Sequence, residues 1–586
     1  MRAKYWLFAL TGASSLALVP ALAQRTGPES ILPPGFGSPT PAPAPNPAPA
    51  SPASPGTPAA PAQPAPDAMA GTVPLDNATE VAVDEGDETL DNGSEEAVVL
   101  VDLPPEAERS TERVGLLGEA DGGLGATAFG GSDGRFLVGL MQRIDVPLAS
   151  RWTSILLRRA LLSRSDTPSH VAPADWIAER AILLARLGNA DDARSLVAAV
   201  DSGNYSPRMY DAAMQAGLAT ADPASLCGVA DAAVAQTRLP SWALAKAICQ
   251  GLAGEGATAN AEFDELRRSG RAGGVDVRLA EKVAAVGGGA RRAIGIEWNV
   301  GQLNAWRFGM AAAAAVPIPA ELQGTVGPQV QAWLARAPLY PLADRLAAAD
   351  RAASLGVFSS AALVDFYSAV YDGLDSDERG GTPSQYLRQA YAAPDIPGRL
   401  SAMQTLWEGG GGWSGRYARQ ILTARAAGAL PQNEAVTGAA LDDAIASMMS
   451  AGLDIQAARW AGRVEAGTLG WALLAVGAPR APFTIEAQQV ESFANPQLLS
   501  AGLAALGRQP VAEGFAAQDS WTRALDRAVA AREPGTVALL AAVGMQTPRW
   551  SAVPAARLYR IVAALRAVGM EPEARMIAAE ALTRTA

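Results

Sequence analysis

Histidine, cysteine and lysine are scarce in this chain, and each shortage removes a class of chemistry. The 586 residues include one histidine, His170, and two cysteines, Cys227 and Cys249. The usual zinc site draws several ligands from these two residue types, and a Ser-His-Asp triad would have to use His170 itself. Neither Lys246 nor Lys282 follows a serine by three positions, so the S-x-x-K motif is absent there. We interpret His170 as a surface-loop residue and expect no cofactor and no metal.

Aromatic residues are also few, at 6%, and acidic residues outnumber basic ones by 59 to 47. The excess is local, because thirteen acids and only two arginines lie between residues 76 and 113. From residue 114 onward, 44 acids face 42 bases. Nucleic-acid binding requires a clustered basic face. The charge distribution therefore argues against a nucleic-acid partner.

The N-terminus has the pattern of a secretory signal peptide. Two basic residues precede an apolar run at 6–19, and Ala-Leu-Ala follows at 21–23. The run is shorter than the ~20 residues that a membrane-spanning helix needs. We predict cleavage between Ala23 and Gln24, which makes the protein periplasmic or secreted in a Gram-negative bacterium. A membrane partner is expected only if residues 1–23 are retained as an anchor.

Two tracts of biased composition follow the leader. Residues 24–74 are rich in proline and alanine and are predicted to be an extended linker. Residues 75–113 are acidic and have too little apolar surface to offset the entropy of ordering, so disorder is predicted. The apolar run Ala-Val-Val-Leu-Val at 97–101 interrupts the acids. It is either a segment that docks on a partner or a chance apolar cluster in a solvated linker.

Helical periodicity begins at about residue 135 and continues to the end of the chain. One example is the series Leu558, Ile561, Val562, Leu565 and Val568. Strand-like alternation is scarce. We therefore predict an all-α body at 135–586 after a glycine-rich lead-in at 114–134. The glycine run inside 408–415 is predicted to be a hinge between two halves of the body.

A glycine followed five residues later by an alanine recurs four times in the body. The pairs are Gly188 with Ala193, Gly254 with Ala259, Gly452 with Ala457, and Gly569 with Ala574. Glycine permits a tight turn at a helix end, and the small alanine lets the next helix approach. This spacing resembles the inter-helix turn of tetratricopeptide-like repeat proteins. The resemblance implies a degenerate α-solenoid of helical hairpins, with an irregular helical domain as the alternative.

Cys227 and Cys249 are predicted to form a structural disulfide. They lie on either side of a turn at 237–240 that separates two alanine-rich helical stretches. An antiparallel hairpin would bring them level, and a lone cysteine pair in an oxidising compartment is typical of a disulfide. A redox pair is the alternative, but the C-x-x-C spacing is missing. We expect Ser241 to cap a second helix that starts at Trp242.

The segment Glu-Ser-Phe-Ala-Asn-Pro at 491–496, with Ser-Ala-Gly at 500–502, resembles the catalytic segment of soluble lytic transglycosylases. The resemblance implies an α-superhelical region before a catalytic domain in which Glu491 is the general acid and base on peptidoglycan. The expected Gly-Leu-Met-Gln signature is replaced by Ala-Ala-Leu-Gly-Arg at 504–508. In the alternative interpretation, Ser492 or Asn495 caps another helix.

The sequence therefore leaves two functions open. In the first, the body is a non-enzymatic periplasmic scaffold or adaptor that binds a protein or envelope component through a helical-repeat surface. In the second, it is a peptidoglycan-acting enzyme that uses Glu491.

Overall fold

The structure is a computed structural model that describes residues 108–586 except residues 146, 288–293 and 586. The described residues form 26 α-helices and one two-stranded sheet, so the all-α prediction is confirmed. The first thirteen helices are α1 (Gly134–Arg143), α2 (Arg151–Leu162), α3 (Pro173–Arg186), α4 (Ala190–Ala198), α5 (Pro207–Ala219), α6 (Ala230–Thr237), α7 (Pro240–Leu252), α8 (Gly256–Arg268), α9 (Gly274–Gly287), α10 (Ala305–Ala313), α11 (Ala320–Gln323), α12 (Pro328–Arg336) and α13 (Leu346–Ser354).

The remaining thirteen helices are α14 (Ser360–Gly373), α15 (Pro383–Ala392), α16 (Ile396–Glu408), α17 (Gly412–Gly428), α18 (Gly438–Ser450), α19 (Asp454–Ala458), α20 (Leu469–Gly477), α21 (Ala487–Glu491), α22 (Pro496–Ala505), α23 (Ser520–Ala530), α24 (Pro534–Gly544), α25 (Ala555–Ala567) and α26 (Glu571–Thr583). Most connections are only a few residues long. Consecutive helices such as α3 and α4, α7 and α8, and α17 and α18 pack against each other.

The folded body begins earlier than the sequence predicts. β1 (Arg113–Val114) pairs antiparallel with β2 (Ser165–Asp166). The backbone N–H and the Nε–H of Arg109 both donate to Asp201, at 2.8 and 2.7 Å. Phe129, inside the glycine-rich lead-in, is almost fully buried. The predicted boundaries at 113 and 134 are therefore too late, because burial of apolar side chains orders this stretch despite its glycines.

The four glycines of the recurring pattern each lie between two helices. Their φ angles are +91° at Gly188, +90° at Gly254, +76° at Gly452 and +86° at Gly569. The paired alanines, Ala193, Ala259, Ala457 and Ala574, are all buried. At the first turn the N–H of Gly188 donates to the carbonyl of Ala185, and the N–H of Asn189 to that of Leu184, both at 2.9 Å. The same two bonds recur at the other three turns, which makes all four Schellman motifs.

The two ends of the body pack against each other. α2 contacts both α24 and α26, and α1 contacts α24. Glu580 of α26 accepts hydrogen bonds from the N–H of Arg151 at 2.8 Å, the N–H of Trp152 at 3.2 Å and the hydroxyl of Ser150 at 2.6 Å. A carboxylate from α26 thus caps the N-terminus of α2. The arrangement of the hairpins as a solenoid stays a prediction, but the first and last helices of the body meet.

Arg151 joins three further segments at the same place. It is 3% exposed. Its Nε donates to the carbonyl of Ala353 at 2.8 Å, one Nη to that of Ser450 at 2.9 Å, and the other Nη to that of Phe358 at 3.3 Å. The first two carbonyls belong to the C-terminal ends of α13 and α18, where a cation is favoured by the helix dipole. Arg151 therefore ties α2 to the middle of the chain. An Nη of Arg584 pairs with Oε1 of Glu580 at 2.7 Å, and we call the set Ser150, Arg151, Glu580 and Arg584 the closure cluster.

Cys227 and Cys249 are joined by a disulfide, as the sequence predicts. Cys227 belongs to a 3₁₀ helix (Pro223–Val229), and Cys249 lies on α7. The predicted cap is wrong: α7 starts at Pro240, with Leu239 in the cap position and no side-chain cap. Proline is favoured in the first turn of a helix because its missing N–H would have no partner there.

Several predictions lie outside the described residues. They are the leader at 1–23, the linker at 24–74, most of the acidic tract and the apolar run at 97–101. Within the described part of the chain, every helix is too short or too polar to cross a membrane.

The predicted hinge falls between α16 and α17. Residues 409–411 connect these helices, and Gly411 and Gly412 have φ angles of +66° and +63°. Trp407, just before the glycines, is 1% exposed, and its Nε1 donates to the hydroxyl of Thr423 on α17 at 2.8 Å. α16 and α17 therefore pack together across the turn, and hinge motion at 408–415 stays a prediction.

Candidate functional site

His170 lies in an exposed loop and carries a positive φ of 63°. Its Nδ1 is 2.8 Å from Oδ2 of Asp133. Asp133 also caps α1 by accepting from the N–H of Arg135, and this bond, with the proximity of His170, holds the pKa of Asp133 below its usual range. Across the residues that the structure describes, no three His, Cys, Asp or Glu side chains converge as a metal-ligand group.

Glu491 is exposed at the last position of α21. A cavity of about 730 Å³ opens nearby, and Asn495, Arg549, Trp550 and Arg584 contribute to its wall, whereas Glu491 does not. The amide of Asn495 donates to the carbonyl of Thr585 at 2.8 Å. Asn495 occupies the cap position of α22, but its side chain makes no capping bond, and Ser492 lies at the end of α21. Asn495 is therefore the N-cap residue of another helix, as the alternative interpretation has it, but it caps α22 by position and without a side-chain bond.

The surface between α14 and α15 contains an open groove of about 410 Å³, which we call the α14–α15 groove. One wall is the face of α14 that carries Val364, Ser368, Tyr371 and Asp372. The other wall is the face of α15 that carries Ser384, Leu387, Arg388, Tyr391 and Ala392. These positions follow the three- and four-residue spacing of a helix face. The groove exists because two adjacent helix faces meet solvent with mixed apolar and polar side chains.

Two arginines lie against one aromatic ring at this groove. The guanidinium carbon of Arg379 is 4.6 Å from the ring centre of Tyr371, and that of Arg388 is 5.3 Å from it. Arg388 is exposed and makes no ion pair with any described residue. Its guanidinium is positioned by the ring but not neutralised by a carboxylate. The guanidinium of Arg388 could therefore pair with an acidic group of a ligand.

The floor of the groove is apolar. Leu387 is 3% exposed, and Tyr391 leaves 38% of its surface open to solvent. Partial burial raises the pKa of the Tyr391 hydroxyl above its ordinary value. The Oγ of Ser384 is buried without a hydrogen-bond partner. The groove thus combines an aromatic edge, an aliphatic floor and a charged rim.

A buried polar cluster holds α14 in position behind the groove. The hydroxyl of Tyr367 on α14 donates to Oδ1 of Asp350 on α13 at 2.8 Å. An Nη of Arg419 on α17 lies 3.0 Å from Oδ2 of the same carboxylate. Burial raises the pKa of Asp350, although Arg419 and the Tyr367 hydroxyl act in the opposite direction. The cluster therefore joins α14, which forms one wall of the groove, to α13 and α17.

The glycine turns and the disulfide could be predicted from the sequence, but the groove could not. The residues of α14 and α15 that line it could have been found from their helical spacing. Nothing in that spacing distinguishes a wall that faces solvent from one that another helix covers. The closure cluster was missed for a similar reason, since Arg151 and Glu580 lie about 430 positions apart.

Comparisons with known proteins return no match: no family model, no curated protein and no solved structure resembles this chain at a significant level.

Proposed function

We propose that the protein is a non-enzymatic scaffold or adaptor that binds a protein partner in the α14–α15 groove. The observation that carries the proposal is the wall of the groove, in which Tyr371, Tyr391 and an unpaired Arg388 surround the apolar Leu387. Tyrosine and arginine are among the residue types that most often dominate binding at protein interfaces.

The chemistry of the groove indicates the kind of partner. A segment with an apolar side chain beside an acidic residue matches it best. The apolar side chain would cover Leu387, and the carboxylate would reach Arg388. Asp372, on the opposite wall, would accept a hydrogen bond or a basic group from the partner. An interface of this kind can be small and transient.

The site of action is part of the proposal. The leader predicted at 1–23 would deliver the chain to the periplasm, where the partner is a protein of the cell envelope or an envelope component that carries such a segment. The disulfide between Cys227 and Cys249 supports an oxidising compartment.

Crosslinking of intact cells followed by affinity capture tests the proposal. The full-length protein is compared with Arg388→Ala/Tyr391→Ala and with the control Arg278→Ala/Ile455→Ala, which removes an exposed arginine and an exposed apolar residue outside the groove. We expect the same envelope protein to be recovered with wild type and control and to be lost with the groove variant. Equal recovery with the groove variant, or no reproducible partner with wild type, would contradict the proposal.

Zymography on peptidoglycan separates this proposal from the enzymatic interpretation. We expect no clearing by the wild type. Clearing that is present with wild type and absent with Glu491→Gln would overturn the assignment as a non-enzymatic scaffold.

A further inference from the structure

A second depression lies between α1 and α23 and shares no lining residue with the α14–α15 groove. Its volume is about 340 Å³, and we call it the α1–α23 notch. Phe136 of α1 lines it and is 41% exposed. Ala524, Ala528 and Ala531 form the facing wall. Small side chains opposite a half-exposed aromatic ring leave room for the side chains of an extended segment.

The charges around the notch are unbalanced. Four exposed arginines on or next to its walls make no side-chain hydrogen bond or ion pair with any described residue: Arg135, Arg523, Arg527 and Arg532. Arg523 and Arg527 are four positions apart on α23, so they share one helix face.

The carboxylates of the notch, by contrast, all have partners. Asp133 pairs with His170 and caps α1. Glu533 accepts from the N–H of Gly131 at 2.8 Å and from two hydroxyls. Asp526, on the same helix as Arg527, pairs with Arg560. Four unpaired arginines therefore lie on or next to the walls of the notch, whereas each of these carboxylates already has a partner.

The chain carries a complementary segment shortly before residue 108, the first one described. Residues 95–102 read Glu-Glu-Ala-Val-Val-Leu-Val-Asp, an apolar run with acids at both ends. The carbonyl of Glu112 accepts from the N–H of Thr167 at 2.9 Å. Thr167 lies three positions, or at most about 10 Å of chain, before His170, which contacts Asp133 of the notch. Arg109, three positions before Glu112, is itself held by its bonds to Asp201, so the reach of the preceding chain is counted from there. The nine positions from Leu100 to Arg109 can span up to about 30 Å, and the path from Arg109 to His170 through Glu112 and Thr167 is at most about 25 Å long.

We infer that residues 95–102 of the same chain dock in the α1–α23 notch. The apolar side chains of 97–101 cover Phe136 and the alanines, and Glu95, Glu96 and Asp102 pair with the arginines on the rim. The N-terminal arm is thereby held against the body. The inference concerns a different surface from the α14–α15 groove and does not depend on the partner proposed there.

A photo-crosslinking experiment on the full-length protein tests this inference. Leu100 is replaced by the photoreactive residue benzoylphenylalanine, and crosslinked peptides are mapped by mass spectrometry. We expect intrachain crosslinks to peptides that contain Phe136 or residues 524–531. Crosslinks confined to other parts of the body, to a second copy or to another protein would overturn the inference, as would the absence of any crosslink.

Charge reversal tests the role of the arginines. With Arg523→Glu/Arg527→Glu the yield of the crosslink should fall about fivefold, because two exposed ion pairs are replaced by like-charge contacts. The control Arg271→Glu/Arg278→Glu reverses two exposed arginines elsewhere and should leave the yield unchanged. Adding Glu95→Arg/Glu96→Arg to the first variant should restore it. An unchanged yield in the first variant, or no recovery in the combined one, would contradict the docking.

Discussion

The closure cluster and the outer surface of the body use charged residues in opposite ways. In the closure cluster, Arg151 is 3% exposed and is bonded to three backbone carbonyls, while Glu580 accepts from the start of α2. On the surface, Arg388 at the groove and Arg527 at the notch are exposed and have no carboxylate partner among the described residues. The charged side chains of the closure cluster are buried and hydrogen-bonded, whereas these surface arginines are exposed and can bind a ligand.

This difference separates residues that hold the fold from residues that can bind. A buried charge destabilises the folded state unless its partners compensate for the lost hydration, so removing one partner has a large effect. An exposed arginine without a partner contributes little to folding. Substitutions in the closure cluster should therefore change the free energy of unfolding, and substitutions at the groove or notch should change binding alone.

The largest effect is expected from Glu580→Gln. The variant removes the charge that faces Arg584 and weakens the cap on α2, so the free energy of unfolding should fall by about 3–5 kcal/mol. Urea denaturation followed by far-UV circular dichroism measures it. The matched control is Glu434→Gln, at an exposed position without an ion pair, which should change stability by less than about 0.5 kcal/mol. Equal losses of unfolding free energy in the two variants would contradict the claim that buried charges stabilise the fold and exposed charges do not.

Removal of the disulfide should come next. Cys227→Ser/Cys249→Ser opens a loop with a sequence separation of 22, and the expected loss is about 3 kcal/mol because the unfolded chain regains entropy. Urea denaturation of the wild type with and without a reducing agent provides the control, since the variant should not respond to the reductant. Two free thiols in the wild type, titrated in denaturant without reductant, would refute the bond itself.

Two glycine substitutions compare a buried helix turn, at Gly188, with an exposed one, at Gly254. Gly188 and Gly254 have nearly the same φ, but a Cβ at Gly188 would lie 2.8 Å from the Cβ of Ala332, whereas a Cβ at Gly254 would meet nothing within 4 Å. Gly254→Ala should therefore lower the free energy of unfolding by about 1–2 kcal/mol, from backbone strain alone. Gly188→Ala should lower the free energy of unfolding by about 1–3 kcal/mol more than that, because the added methyl group overpacks the turn. Thermal and urea unfolding of both variants check this, and a larger loss at Gly254 would be inconsistent with the packing described.

The smallest effect concerns the pH dependence of Asp350. Its pKa in the folded protein lies above its ordinary value near 3.8 because of burial. The folded state therefore holds this proton more tightly than the unfolded state, and the contribution of Asp350 to stability falls as pH rises from the unfolded pKa through the folded one. The stability of the wild type relative to Asp350→Asn should be greater near pH 4 than at pH 7 in urea titrations. A greater relative stability at pH 7 would mean that the ion pair with Arg419 outweighs burial.

Local features of the fold could be predicted from the sequence, and long-range ones could not. The turn at Gly188 followed from a glycine and an alanine five residues apart, because turn geometry depends on a few neighbouring residues. The disulfide followed from two cysteines on either side of one turn. The start of α7 was misplaced by two residues, since Pro240 was read as part of the turn although proline is well suited to the first turn of a helix.

The closure cluster shows why the long-range features of the fold could not be predicted from the sequence. Glu580 is one of many glutamates on a helical stretch, and no local pattern indicates that it caps a helix about 430 residues away. The glycine-rich composition of the lead-in gives no sign of its order, because Phe129 packs against a tryptophan of α3 that lies farther along the chain. The α14–α15 groove depends on which helix faces remain uncovered, which only the assembled body determines.

The claim that the body closes on itself is tested most directly by one distance. The backbone N–H of Asp145, just after α1, donates to Oε1 of Gln546, just after α24, at 3.0 Å, and both residues are exposed. Both cysteines of the chain are in the disulfide, so spin labels on Asp145→Cys/Gln546→Cys can be placed selectively.

Pulsed electron paramagnetic resonance on this variant should give a single narrow distribution at the short end of the measurable range. An open stack of helical hairpins, at about 8–10 Å per helix layer, would place these positions on the order of 100 Å apart. A short distance is what the closed body predicts, and a long or broad distribution would contradict it.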